Sequence, residues 1–85
     1  MGEIGTCLWF DVKKGYGFIR REKGGPDVFI HYSKIVAEPG EFRLLEENDV
    51  VEFEPFFAER GDGRQKPQAK NVRIIRGEHH ADEIL

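Results

Sequence analysis

The chain has 85 residues, 39% apolar and 34% charged, with a net charge of −3. That describes one small domain, too apolar for a disordered chain and able to bury only about 60–65% of its unfolded surface, so its core is thin. No apolar run reaches the roughly 20 residues that span a bilayer, and the lone Cys7 excludes an internal disulfide or a CxxC metal pair.

The first ten residues, MGEIGTCLWF, lack a basic segment ahead of a cleavable apolar stretch, so no secretory signal is expected. Met1 to Thr6 fit the loose pattern for N-myristoylation, but an ordinary strand start is the simpler reading. A single cysteine suits a reducing, cytoplasmic setting, with Cys7 as a small buried apolar group.

Strand signals dominate the chain. Ile4–Asp11 reads as a first strand and, after the Lys13-Lys14-Gly15 break, Tyr16–Arg21 as a second. Gly24-Gly25-Pro26 is a turn, and Asp27–His31 a third strand close enough to the second to form a hairpin. Ser33 to Asn48 is irregular, with Pro39-Gly40 inside it. Val50–Phe57 is a fourth strand with Pro55 at an edge or bulge, Glu59–Lys66 a polar loop, and Ala69–Ile75 a fifth strand. Residues 1–76 are read as one domain and residues 77–85, which lack periodicity, as a frayed or disordered tail. There is no internal repeat and no amphipathic helix. Five short strands with one long connection predict an all-β fold, a small antiparallel barrel that is closed or nearly so.

Charge is segregated along this frame. Residues 1–34 carry six basic and four acidic side chains, residues 35–59 one and eight, residues 60–76 six and one, and residues 77–85 none and three. For binding a polyanion, that segregation matters more than the acidic total. The run Glu46, Glu47, Asp49, Glu52 and Glu54 is expected on a solvated side of the barrel.

Strand side chains alternate between faces. Tyr16, Phe18 and Arg20 therefore share one face, opposite Gly17 and Ile19, while Asp27, Phe29 and His31 stand opposite Val28 and Ile30. The aliphatics mark the core side, which leaves Tyr16, Phe18, Phe29 and His31 outside, next to Lys13, Lys14 and Arg20. Exposed apolar patches of this kind mark binding sites. Rings within a basic surround suit single-stranded nucleic acid, whose bases stack while its phosphates meet the cations.

Lys14–Ile19 and Asp27–Tyr32 resemble the paired ribonucleoprotein motifs of the cold-shock domain family, of the bacterial type. The first reads Lys-Gly-aromatic-Gly-aromatic-aliphatic, the second acidic-Val-Phe-aliphatic-His-aromatic. The likeness extends to Gly5-Thr6 ahead of Trp9-Phe10, to Glu41 through Leu45, and to Pro67 through Val72, covering roughly residues 4–75. It implies a five-stranded OB-type barrel that binds single-stranded DNA and RNA. It further implies stacking by Trp9, Phe18, Phe29, His31 and Phe42, with Phe10, Tyr16 and Tyr32 completing the platform. Lys14 would approach phosphates or base edges, and Asp27 would contact bases or brace the site. Plain alternation puts Trp9 and Phe10 on opposite faces and Tyr32 away from His31; bringing them to one surface requires a bend or bulge.

Leu8 stands where the family usually has Lys, and Asp11 where it has Asn. Losing one phosphate contact flattens the salt dependence by about 0.7 in log–log slope for a single strand, so stacking should outweigh charge here. Arg20 and Arg21 are candidates to compensate, and Arg60, Arg64, Lys66 and Lys70 for a second cationic edge.

No catalytic motif is present, neither P-loop, HExxH nor GxSxG, so no enzyme, cofactor or small-molecule substrate is expected. His31 lacks partners at metal-ligand spacing. His79-His80 reads as part of a solvated tail and Arg60-Gly61-Asp62 as a turn. The expectation is a monomeric cytoplasmic protein that binds single-stranded RNA or DNA as a nucleic-acid chaperone. The competing reading is a protein-interaction module on the same barrel, its nucleic-acid surface converted by Leu8 and Asp11.

Overall fold

The computed structural model describes residues 2–59 and 65–76. The expected tail, the Arg60-Gly61-Asp62 turn, Arg64 and His79-His80 lie outside them. Among the described residues, five strands, β1 (Glu3–Asp11), β2 (Tyr16–Arg21), β3 (Val28–His31), β4 (Val50–Glu59) and β5 (Gln65–Arg76), are accompanied by turns and one short 3-10 segment at Tyr32–Lys34. They close into a barrel in the order β1-β2-β3-β5-β4. Among the described residues no helix is long and apolar enough to cross a membrane.

Four of the five seams are antiparallel, but β3 meets β5 in parallel through Phe29↔Gln68, with a further parallel bridge at Ile35↔Val72. The expected five-stranded antiparallel OB-type barrel is found, with this one parallel seam closing it. A closed ring with an odd number of strands cannot reverse direction at every neighbour, so one parallel contact is unavoidable. The long connection after β3 sets which one: it delivers β4 to β1, leaving β5 to fill the gap beside β3.

The ladder between β4 and β5 outruns the barrel wall. β1 covers β4 only from Val50 to Phe53, yet β4–β5 pairing continues to Glu59↔Gln65. Backbone pairing thus claims both ends of the stretch read as a polar loop from Glu59 to Lys66. Pro55 sits opposite Ala69, beside a bulge where the register steps from Glu52↔Arg73 to Glu54↔Lys70. Asn71, in that step, has φ 51°, a left-handed conformation that asparagine tolerates.

Inward positions build the core. Cys7, Ile19, Val28, Ile30, Val51, Phe53, Ala69 and Val72 come from the strands, and Ile35 and Leu45 from the long connection. Each large side chain fully buried there contributes roughly 1.5–3 kcal/mol. Asp49 departs from the solvated side expected for the acidic run, being only 2% exposed. Its carboxylate accepts a hydrogen bond from the Glu46 N–H at 3.0 Å, which closes the turn into β4. Its carbonyl accepts from the Cys7 N–H, and the Cys7 carbonyl accepts from the Asn48 N–H, both at 2.8 Å. Burial first, and then the Asp49 charge, push the Cys7 thiol up to about 12, so it stays protonated.

Candidate nucleic-acid interface

The outer faces of β2 and β3 carry the rings. Cross-strand registers Phe18↔Phe29 and Tyr16↔His31 set them side by side. Centroid separations are 5.7 Å for Phe18–Phe29, at 73°, and 5.7 Å for Tyr16–Phe29, at 35°. Spacings and tilts of this kind are favourable for aromatic pairs.

Trp9 joins them from β1. Its ring centroid is 5.4 Å from Phe18 and 6.0 Å from Tyr16, and the residue is 43% exposed. A bulge makes this possible: Cys7 pairs with Ile19 but Trp9 pairs with Phe18, so Leu8 is an extra residue. Skipping one position turns Trp9 outward. The bulge does not bring Phe10 to the same surface. Phe10 pairs with Gly17 and packs against the core, so the two rings stay on opposite faces as alternation alone predicts. Gly17 allows the close approach of β1, since a Cβ there would lie 2.1 Å from the Trp9 carbonyl oxygen and 2.8 Å from the Phe10 Cα.

β3 ends at His31, and its alternation is broken by the 3-10 turn at Tyr32–Lys34. The Tyr32 ring therefore comes to 4.6 Å from the His31 ring instead of facing away. It also covers Gly15, whose φ is 79° and where an added Cβ would lie 2.8 Å from the Tyr32 ring, leaving no place for a side chain. The Ser33 N–H donates to His31 Nδ1 at 3.2 Å, with the Ser33 hydroxyl 2.8 Å away. His31 is thereby held in orientation, and a neutral ring carries its proton on Nε2.

The cations divide. Lys13, Lys14 and Arg20 are exposed around the rings. Arg21 is not available: it grips Glu3 through Nε at 3.0 Å and Nη2 at 2.6 Å, with Lys23 3.3 Å from the same carboxylate. The Arg21 guanidinium holds the Glu3 carboxyl below its ordinary range, and Glu3 raises Arg21 in return. Of the two candidates for compensation, then, only Arg20 is open. Asp11 is bound into the β1–β2 turn, its carboxylate accepting from the Lys14 N–H at 2.9 Å and its carbonyl from the Gly15 N–H at 2.7 Å.

Asp27 is exposed just ahead of β3, and Phe42, 87% exposed in the long connection, faces Val12, Lys14 and Tyr32 across an open groove. Lys66 and Lys70 are exposed on β5 on either side of Gln68, on the outer face. One ring escaped the sequence reading. Phe56, half-buried on β4, has the Lys34 and Lys70 ammonium groups each 5.8 Å from its centroid. The signal was present, because Glu52, Glu54 and Phe56 alternate with the buried Val51 and Phe53 and so face outward.

The family model described as the 'Cold-shock' DNA-binding domain matches residues 3–75. A cold shock-like protein of Thermotoga maritima is 46% identical, and a probable cold shock protein A of Mycolicibacterium smegmatis 48%; each alignment covers 84% of this chain and 96% of the relative. A cold shock-like protein CspA of Bordetella pertussis is 42% identical over 86% of this chain and 98% of its own length. The barrel, the two motif strands and these alignments agree: the chain belongs to the cold-shock domain family, a family of nucleic-acid-binding proteins.

Proposed function

We propose that this protein binds single-stranded RNA or DNA by stacking bases on an outer platform of Trp9, Tyr16, Phe18, Phe29 and His31, and that it acts as a nucleic-acid chaperone. The observation that carries the reading is the unbroken contact of Trp9, Tyr16, Phe18 and Phe29, each within 6.0 Å of a neighbour, on a surface ringed by exposed Lys13, Lys14 and Arg20. Each stacked base contributes about 1–3 kcal/mol and every base offers a π-face, so sequence preference is weak. Tyr32 and Phe42 extend the platform across the groove toward Lys14. Phe10 supports it from beneath by packing on the core. Asp27 and Lys66 lie at its margins, toward base edges and phosphates respectively.

A base held on a ring cannot pair with another base. Binding therefore opposes hairpins through mass action, with no need for ATP. Leu8 contributes no charge to the site, and Arg21 is tied to Glu3, so stacking carries more of the affinity than phosphate neutralisation does.

Trp9 reports on the test directly. Titration with heptathymidine and heptauridine at low and high salt should quench its fluorescence to saturation, with only modest weakening as salt rises. Absence of quenching at low salt overturns the platform, and a response of Trp9 to a protein partner alone would favour the interaction-module reading.

A further inference from the structure

We infer that the binding surface continues past Phe29 onto the β4–β5 hairpin, where Phe56 with Lys34 and Lys70 forms an additional nucleotide subsite. This rests on the stacking reading above and extends it to the far side of β5. The pairings Trp9↔Phe18, Phe18↔Phe29, Phe29↔Gln68 and Phe56↔Gln68 form one transverse row across all five strands. Residues paired across strands share a face, and Ala69, next to Gln68, is buried. The whole row therefore lies outside. Phe56 is two strand spacings, about 10 Å, from Phe29, so a strand lying along the row reaches it without reversing.

The chemistry of the subsite repeats that of the platform. Phe56 offers a ring, and two ammonium groups from separate elements, Lys34 on the 3-10 turn and Lys70 on β5, converge on it at 5.8 Å each. Neither lysine forms an ion pair among the described residues. Two like charges beside one ring repel each other. Glu54 stands opposite Lys70 in the ladder without forming an ion pair with it, and a polyanion relieves the remaining repulsion while its base covers the ring. An acidic or purely apolar ligand class would satisfy only half of this arrangement.

The test is a ladder of oligothymidines, from about 4 to about 12 nucleotides, within the span that OB folds cover. Affinity for the wild-type chain should climb with length until the strand reaches Phe56. Phe56→Ala should bind the shortest oligomers as the wild type does and lose about 5- to 150-fold on the longest, the fold-change equivalent of one stacking contact. Phe56→Leu keeps the apolar bulk of a half-buried position and should show the same length-dependent loss if the alanine variant folds poorly. Replacing both exposed lysines, Lys34→Ala with Lys70→Ala, should lower the salt slope by about 1.4 on long oligomers only. Variants that follow the wild type at every length overturn the subsite and leave the platform standing. A wild-type chain that binds no oligomer of any length removes both.

Discussion

At the C-terminal end of β2, Arg21 is held by Glu3 at 2.6 and 3.0 Å, with Lys23 joining at 3.3 Å. At the N-terminal end of the same strand, Tyr16 and Phe18 stand beside Lys13 and Lys14, whose ammonium groups form no ion pair among the described residues. Arg20 and Arg21 are adjacent in sequence, yet one is exposed and the other half-buried in a bidentate pair. Where a carboxylate lies within reach, the cation serves the barrel; beside the rings, the cations stay exposed and form no ion pair among the described residues. Glu3 decides this for Arg21, because register places the ends of β1 and β2 together.

The comparison breaks if either end can do the other's work. Replacing Phe18 and Phe29 together by Ala should remove about 2–6 kcal/mol of oligonucleotide binding, read by anisotropy of a labelled strand. The melting temperature should change much less, because both rings are on the outer face. Gly17→Ala lies between the two ends and should affect both. Its Cβ forces β1 away from β2 at Trp9, at a stability cost of about 1–3 kcal/mol by thermal melting, with weaker binding because Trp9 is displaced.

Glu3→Gln addresses the ion-pair end alone. It should lower stability at pH 7 by no more than about 1 kcal/mol and leave oligonucleotide affinity unchanged. Because the folded carboxyl titrates below the ordinary glutamate range, its contribution is present above that range and lost as pH falls through the folded value. The gap in melting temperature between wild type and variant should therefore close on acidification. A gap that persists at low pH means that the pair acts through packing and not through charge. Lys14→Ala should have the smallest effect, a salt slope lower by about 0.7, and no change in slope would remove Lys14 from the phosphate contacts.

Much of the fold was legible. β2 starts and ends where the pattern from Tyr16 to Arg21 predicts, because a Gly-containing break precedes it and aliphatic and aromatic positions alternate within it. β5 was legible only in part: Gln65 to Gln68 carry no hydrophobic period and are held extended by pairing with β4 and, at Gln68, with β3. The candidate surface divides in the same way. Tyr16, Phe18, Phe29 and His31 follow from period-two alternation, whereas Trp9 depends on the extra residue Leu8 and Tyr32 on the end of β3. A bulge and a strand end leave no periodic mark, since each is settled by pairing with another part of the chain.

The sequence by itself determined the strand periodicity, the outward rings of β2 and β3, and family membership through two motifs, because these depend on neighbours a few positions apart. Only the tertiary structure decided that Phe10 faces the core, that Arg21 belongs to Glu3, that Asp49 is buried against Cys7, and that Phe56 stands in the same row as Phe29. Each of these depends on which distant strand lies alongside. Closing five strands into a ring with one parallel seam sets that arrangement for all of them at once.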